Sequence, residues 1–243
     1  RSIIMTKHSF VTTKSLFIHL IGFVWCSFGT YNGHVYYSMP SYQNYGGRFQ
    51  FLTMWASYLL YLGTAIGTLV DSIHLKNKNN ENKHLKSPLL LIRDDFSVVW
   101  GTLNCLVPIL YWSVAYFDRE GIHPKELQHL LPFNGWYNHY LHTIPAFYVL
   151  LAITNVNYAH PPLRRAIVYI ITLFLTYLCW LIWLANLNGV YAYPFLNALS
   201  KEGFAVFIIC SCLVGFLLYI VLKSVSAMLW KTCESEALRS KLK

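Results

Sequence analysis

Charged side chains are scarce in this sequence of 243 residues, where Asp, Glu, Lys and Arg together make up only 12%. A soluble domain has about 25% charged residues, so this low fraction excludes an ordinary soluble globular protein. Acidic residues are the rarest, with 10 Asp and Glu against 19 Lys and Arg, and the formal net charge is +9. The sequence also lacks two hydrolase signatures, the HExxH zinc motif and the GxSxG serine elbow.

Hydrophobic residues, by contrast, make up 56% of the chain and are concentrated in six runs. Each run is close to the ~20 residues that a helix needs to cross a bilayer. The runs cover approximately residues 15–31, 49–70, 96–117, 136–154, 166–185 and 204–222. We therefore predict an all-α membrane protein, a single domain over 1–243 that forms a bundle of six transmembrane helices. The first run is the weakest, because it is short and contains His19.

The basic residues are distributed unevenly between the two sides of this predicted bundle. Fifteen of the 19 Lys and Arg fall in the N-terminal segment, a polar linker at about 72–95, the fourth loop and the C-terminal tail. Such an asymmetry follows the positive-inside rule, so both termini and the linker are predicted to be cytosolic. The basic tails would then meet anionic lipid headgroups, and we predict no nucleic-acid partner.

The six cysteines lie in or beside the predicted spans and do not have the spacing of metal ligands. They are expected to be free, buried thiols that pack as small hydrophobic side chains, and not a disulfide framework.

A small and polar stripe runs along the second predicted span, and Thr53 is at one end of it. Its hydroxyl and carboxyl residues are Thr53, Ser57, Thr64 and Asp71, with Gly63 and Gly67 beside them. Such a stripe faces other helices and not lipid. The Thr53 hydroxyl then has two possible roles. It either bonds back to the carbonyl of Phe49, as hydroxyls inside helices often do, or it carries out chemistry.

Histidines are the main ionisable groups in the spans, and such groups are functional candidates. His142 is about six residues into the fourth span and Thr53 about four into the second, or roughly 9 and 6 Å deep at 1.5 Å per residue. Both spans start outside, so Thr53 and His142 are predicted to lie at a similar depth in the membrane, where they could form a nucleophile–base pair. His19, in contrast, is near the opposite leaflet. Asn138, one turn before His142, would hold its ring.

Two other interpretations of this histidine cluster remain open at this point. His142 alone would be an interfacial histidine bonded to a backbone carbonyl. A metal site would use His139 and His142 with His34 or His123 from outer loops, but no outer carboxylate at ligand spacing completes such a set. We therefore predict no metal.

Four segments, in order, resemble the androgen-induced protein family of multi-pass membrane hydrolases. They lie between about residues 39 and 196 and read MPSYQNYGGRFQFLT, FDREGIHPKELQHLLP, NHYLHT and YPFL. The resemblance implies a threonine hydrolase that cleaves fatty acid esters of hydroxy fatty acids without a cofactor. By position, it implies that Thr53 is the nucleophile and His142 the base. It also implies a lipid substrate taken from the bilayer, in the endoplasmic reticulum or plasma membrane.

Supporting roles are predicted for four further residues. Arg48, one turn outside Thr53, or Arg119 would bind a substrate carboxylate, although an interfacial arginine also extends to the headgroups without any such role. Asn138, His139 or a backbone N–H would stabilise the oxyanion.

Two alternatives from other functional classes are a transporter and a non-catalytic membrane scaffold that acts through its basic segments. A transporter would have charges near mid-bilayer or broken helices in matching halves. Pro108 and Pro145 interrupt the third and fourth predicted spans, but no charge accompanies them.

Overall fold

Helices account for almost all of the regular structure. The computed structural model describes residues 11–77 and 88–241, with side chains as far as residue 230, and these ranges contain no strand. Four helices are long and apolar enough to cross a membrane. They are α2 (Leu52–Lys76), α3 (Pro88–Phe117), α7 (Leu163–Asn188) and the segment Lys201–Trp230 of α9, which itself spans Lys201–Lys241.

The remaining two predicted spans are helical but differ from these four. α1 (Thr13–Tyr36) covers the first predicted span, and its composition is not apolar enough to place it with the other four. It begins at a capping box, in which Thr12 and Ser15 each accept a hydrogen bond from the other's backbone N–H. On length and composition alone, the structure supports four of the six predicted spans.

The fourth predicted span is divided into two helices. α5 (Trp136–His142) ends at His142, because the next residue, Thr143, has a φ of −135° that is not helical, and α6 (Ile144–Asn155) begins directly after it. Pro145 explains the break, because it has no N–H to donate and its ring clashes with a helical carbonyl four residues earlier. Pro108 does not have this effect, since α3 continues through it. The prediction that Pro108 interrupts its span is therefore wrong.

Close packing of α1 against tyrosines holds α5 and α6 beside it. A Cβ on Gly22, Gly29 or Gly33 would overlap the ring or hydroxyl of a tyrosine from α5 or α6, respectively Tyr148, Tyr140 and Tyr137. These three glycines lie on one face of α1, so the large aromatic rings fill the space that small residues leave. The hydroxyl of Tyr148 also donates a hydrogen bond to the carbonyl of Ile18.

The end of the bundle opposite Thr53 contains a buried ionic cluster. Asp71 of α2 accepts hydrogen bonds from Nη1 of Arg93 at 2.6 Å and from Nδ1 of His19 at 2.9 Å. Arg93 also donates from Nε to Asp94 at 2.9 Å, and His19 Nε2 lies 2.8 Å from the hydroxyl of Tyr158. All five side chains are buried, and together they connect α1, α2, α3 and the segment after α6.

Several predicted boundaries need correction. α2 continues to Lys76 and α3 begins at Pro88, so the linker predicted at about 72–95 is shorter, and its residues 78–87 lie outside the described ranges. Arg93, which was counted among the linker cations, belongs to the buried cluster. His34 lies in the last turn of α1 and not in a loop, and its Nε2 is 3.2 Å from the hydroxyl of Tyr58.

The cysteine prediction is confirmed in part. Cys26 and Cys105 are free and buried, and Cys212 is free and half-buried. Cys179 and Cys210 are also free, but they are exposed on the outside of α7 and α9. The side chain of Cys233 lies outside the described residues.

Short elements connect the long helices at the Thr53 end. They are 3-10 turns at Pro40–Gln43, Gly47–Gln50 and Lys125–Leu127, together with α4 (Arg119–Ile122) and α8 (Pro194–Ala198). Gly46 and Gly47 have φ of +87° and +52°, a left-handed conformation that glycine adopts readily and other residues rarely. This turn directs the chain from the loop into α2.

Candidate active site

Thr53 and His142 meet at the junction of α2 and α5. The Oγ1 atom of Thr53 lies 3.2 Å from Nε2 of His142, and both side chains are at least nine-tenths buried. Thr53 is the second residue of α2 and His142 is the last of α5. The predicted start of the second span at residue 49 was too early. Phe49 precedes the helix, and its carbonyl accepts from the indoles of Trp55 and Trp180.

The other nitrogen of the His142 ring is held by Asn138. Nδ1 lies 2.8 Å from Oδ1 of Asn138 and 3.1 Å from the carbonyl oxygen of the same residue, and both atoms accept hydrogen bonds. Asn138 is itself fixed, because its Nδ2 donates to the carbonyl of Phe133 at 2.8 Å. Since both partners of Nδ1 are acceptors, Nδ1 carries the proton in the neutral ring. Nε2 is then free to accept a proton from the Thr53 hydroxyl.

Aromatic side chains fix the plane of this imidazole. The ring of Tyr111 stacks on the His142 ring with 3.6 Å between centroids and 11° between planes. The indole of Trp112 donates from Nε1 to the backbone carbonyl of His142 at 2.8 Å, just where α5 ends. Because the helix breaks before Pro145, the backbone carbonyl of His142 is available to Trp112 of α3, and this hydrogen bond helps to position His142.

The remaining predicted residues make their hydrogen bonds and ring contacts with other groups. His139 Nδ1 is 3.0 Å from Oγ1 of Thr143, and its ring stacks against Trp112. Arg48 donates from Nη2 to the carbonyl of Tyr37 at 2.6 Å, and its guanidinium lies 4.3 Å from the ring centroid of Tyr42.

Arg119 stacks over Phe133, with 3.8 Å from its guanidinium carbon to the ring centroid. Neither arginine lines a cavity next to Thr53. Within the described ranges, no group of three or more His, Cys, Asp or Glu is close enough to hold a metal ion.

Two cavities open beside Thr53. The inner cavity, with an empty volume of about 740 Å³, lies among α2, α3, α7 and α9, and its lining includes Leu52, Val107, Phe174, Leu181, Phe207 and Ser211. The loop cavity, with an empty volume of about 850 Å³, lies under the connecting segments, and its lining includes Ser41, Tyr42, Met54, His123, Leu141 and His142. Four residues line both: Thr53, Tyr111, Ile122 and Tyr193.

Tyr193 is a site residue to which the sequence assigned no role. Its hydroxyl accepts a hydrogen bond of 2.8 Å from the N–H of Leu52, at the start of α2, and it also lies within interaction distance of Thr53. Tyr193 belongs to the segment YPFL, which carried part of the family resemblance. That resemblance was the only signal that pointed to this residue. Tyr111 had no such signal, because nothing in the sequence distinguishes it from other tyrosines. His123 lies in the segment FDREGIHPKELQHLLP, but the sequence suggested it only as a possible metal ligand.

Comparison with known proteins places these residues in a family context. Residues 14–227 match the sequence profile of the FAR-17a/AIG1-like proteins. The human androgen-induced gene 1 protein is 26% identical over 201 residues, which are 81% of this chain and 84% of the relative. The androgen-dependent TFPI-regulating protein of Mesocricetus auratus is 23% identical over 76% of this chain and 78% of its own.

A protein of Schizosaccharomyces pombe, named as a UPF0641 membrane protein, is 28% identical over 75% of this chain and 77% of its own. No solved structure matches the chain. The apolar helices and these relatives together identify a multi-pass membrane protein, and the chain belongs to the FAR-17a/AIG1-like protein family.

Proposed function

We propose that this protein is a membrane-embedded, threonine-dependent ester hydrolase that cleaves fatty acid esters of hydroxy fatty acids. The observation that carries the proposal is the 3.2 Å approach of Thr53 Oγ1 to His142 Nε2 at the junction of two cavities. A threonine hydroxyl is a weak nucleophile unless an adjacent base removes its proton. The geometry of His142 supports that role, since Asn138 occupies its other nitrogen.

In the first step of the proposed reaction, His142 Nε2 accepts the proton of Thr53 as Oγ1 attacks the ester carbonyl carbon. The carbon–oxygen bond to the hydroxy fatty acid then breaks, and the imidazolium gives its proton to the departing oxygen. The products of this step are an acyl-threonine and a free hydroxy fatty acid. In the second step, His142 takes a proton from water as the water oxygen attacks the acyl carbon. The bond from that carbon to Oγ1 then breaks and the imidazolium returns the proton to Oγ1, which releases the fatty acid and restores the Thr53 hydroxyl.

Tyr193 is suited to stabilise the oxyanion that forms in both steps. Its oxygen accepts the N–H of Leu52, and its hydroxyl lies beside Thr53 and Tyr177, so its O–H can be directed at an oxyanion that forms at Thr53. Preorganised donors of this kind typically contribute a factor of about 10²–10³ in kcat. This assigns the oxyanion role to Tyr193 in place of His139, which bonds to Thr143.

The membrane supplies the substrate in this proposal. We infer that the chain crosses the membrane six times, as the sequence predicts, with both termini in the cytosol. The site then lies in the leaflet away from the cytosol, in the endoplasmic reticulum or the plasma membrane. Lipid esters would then reach the inner cavity by lateral diffusion between helices, because α7 and α9 contribute to its lining.

The test is hydrolysis of a fatty acid ester of a hydroxy fatty acid by membranes that contain the protein. Thr53→Ala and His142→Ala are each expected to lower turnover at least about 10³-fold, since both groups take part in every bond change. Matched controls are Thr68→Ala and His74→Ala. Both of these side chains bond only to carbonyls of their own helix α2, and both variants should keep parent rates.

Parent-like rates in Thr53→Ala or His142→Ala would overturn the proposal. A transport function predicts instead that proteoliposomes show substrate flux in the parent and in both site variants, without ester cleavage.

A further inference from the structure

The position of Thr53 between two cavities of different chemistry indicates how a two-armed ester would lie in the site. The inner and loop cavities share Thr53 and Tyr193 in their lining, so an ester bond at this junction would extend one arm into each cavity. His142 lines only the loop cavity. An arm of the ester that occupies the loop cavity therefore lies next to His142, which gives its proton to the departing oxygen.

The inner cavity has the chemistry of a hydrocarbon site. Its lining consists mainly of aliphatic and aromatic side chains from the long helices. Ser211 is one of its few hydroxyl residues, and that hydroxyl donates to the carbonyl of Phe207 at 2.7 Å, within its own helix. The single hydrogen of the Ser211 hydroxyl is thus not left to donate to a ligand, and an unbranched acyl chain fits this cavity.

The loop cavity contains polar atoms that lack partners. His123 is only 4% exposed, and its Nε2 has no close hydrogen-bond partner, although its ring lies near the backbone carbonyl of Leu131. The Oγ atom of Ser41, in the lining of the same cavity, is also buried without a partner. Buried polar groups in native proteins are nearly always hydrogen-bonded, so these atoms indicate a polar ligand.

The surroundings of His123 favour a ligand that accepts hydrogen bonds. The hydroxyl of Tyr111 is 3.4 Å from Nδ1, and when this hydroxyl donates to Nδ1 the ring proton resides on Nε2. Burial lowers the pKa of His123, and so does the charge of Arg119, while the backbone carbonyl of Leu131 acts in the opposite direction; the net lowering favours the neutral ring. Arg119 also makes the local potential positive, which favours an anion over a neutral acceptor.

We propose that the loop cavity binds the hydroxy fatty acid arm, that His123 Nε2–H donates a hydrogen bond to its carboxylate, and that the acyl arm occupies the inner cavity. This inference rests on the proposed hydrolase function and deepens it. It replaces Arg48 as the carboxylate-binding residue and gives Arg119 an indirect, electrostatic role.

The experiment on His123 compares two substrates, a fatty acid ester of a hydroxy fatty acid and the methyl ester of the same compound. The parent is expected to prefer the free acid. In His123→Phe, the ratio of kcat/KM for the free acid over the methyl ester should fall about 10–100-fold, as a lost hydrogen bond to a charged group predicts. His123→Gln, whose amide can donate from a similar position, should recover part of that ratio.

The control is His129→Phe, an exposed histidine of the same connecting segment, which should keep the parent ratio. An unchanged ratio in His123→Phe would overturn the inference, and so would an equal loss on both substrates. A parent that cleaves both substrates without preference overturns only this inference, whereas a parent that cleaves neither overturns the proposed function as well.

The orientation of the two arms has its own test. Leu178 lines the inner cavity, and Leu178→Trp narrows it. In this variant, the ratio of kcat/KM for esters with long acyl groups over esters with short acyl groups should fall about tenfold. The preference for the chain length of the hydroxy acid should not change. Leu175→Trp, on the exposed face of the same helix, is the control. If the selectivity changes for the hydroxy acid arm instead, the two arms lie the other way round.

Discussion

The ring of Tyr111 lies flat on the imidazole of His142, 3.6 Å away and within 11° of parallel. Nothing in the hydrogen bonds of His142 alone fixes the tilt of its ring about the axis through Nδ1 and Nε2. Tyr111 does so, because a stacked ring resists rotation of its partner out of the plane. The same tyrosine lines both cavities, so it also shapes the space in which the ester would lie.

We predict that Tyr111→Leu lowers kcat about 10²-fold, because small displacements of a catalytic group have costs of that order. Tyr111→Phe keeps the ring and loses only the weak contacts of the hydroxyl with His123 and Asn138, so it should stay within a few-fold of the parent. The measurement is turnover per folded protein in detergent micelles. Equal losses in the Leu and Phe variants would show that the hydroxyl, and not the stacked ring, is what matters.

Asn138 provides a second prediction. Asn138→Leu preserves side-chain volume but removes the acceptor at 2.8 Å from His142 Nδ1. The backbone carbonyl of residue 138, at 3.1 Å, still holds the ring in part. We therefore expect kcat to fall about 10–100-fold, less than for removal of the base itself.

Asn155→Leu is the matched control, because the amide of Asn155 bonds within its own exposed turn. Parent kcat in Asn138→Leu would show that the backbone carbonyl suffices to orient the ring.

The ionic cluster at the other end of the bundle gives a prediction about stability. Arg93→Met leaves the buried carboxylates of Asp71 and Asp94 without their cation. Removing one partner of a buried pair typically costs about 3–5 kcal/mol of unfolding free energy. Arg165→Met breaks a more exposed pair with Asp95 and should cost about 0–1 kcal/mol.

Thermal unfolding followed by tryptophan fluorescence measures both of these arginine variants. A similar decrease in Tm for Arg93→Met and Arg165→Met would contradict the proposed importance of the cluster.

Close packing of α1 gives another stability prediction. In Gly29→Ala, the new methyl group overlaps the ring of Tyr140, and overpacking of this kind costs about 1–3 kcal/mol. Gly101→Ala is the control, since the nearest atom to its new Cβ is 3.9 Å away and alanine favours helix. Tm should fall for Gly29→Ala and stay constant or rise for Gly101→Ala. An unchanged Tm in Gly29→Ala would mean that α1 moves aside at little cost.

The sequence predicted the four long apolar helices α2, α3, α7 and α9, because long apolar runs have few alternatives in a membrane. It also predicted that the polar stripe of α2 faces inward, and Thr53, Ser57, Thr64 and Asp71 are all buried. Comparing depths along the spans brought Thr53 and His142 to one level, and the structure places them in contact. The starting point of α2 was wrong by three residues, since Phe49 and Phe51 look like the beginning of the apolar run although residues 47–50 form a 3-10 turn.

What the sequence did not reveal depends on pairing between distant segments. Arg93 looked like one more linker cation, and only its contact with Asp71, 22 residues away, shows that it is buried. Tyr111 is one of 18 tyrosines, and its stacking on His142 has no periodic signature. The position of His123 in the lining of the loop cavity likewise depends on how the connecting segments fold over that cavity.

The most direct measurement of the central claim is to locate the nucleophile by covalent labelling. A fluorophosphonate lipid probe is incubated with the protein in membranes, and the modified peptide is identified by mass spectrometry. We predict one adduct on Thr53, retained in Thr53→Ser and absent from Thr53→Ala and His142→Gln. An adduct on another residue, such as Ser57, or parent-level labelling of Thr53→Ala would contradict the account.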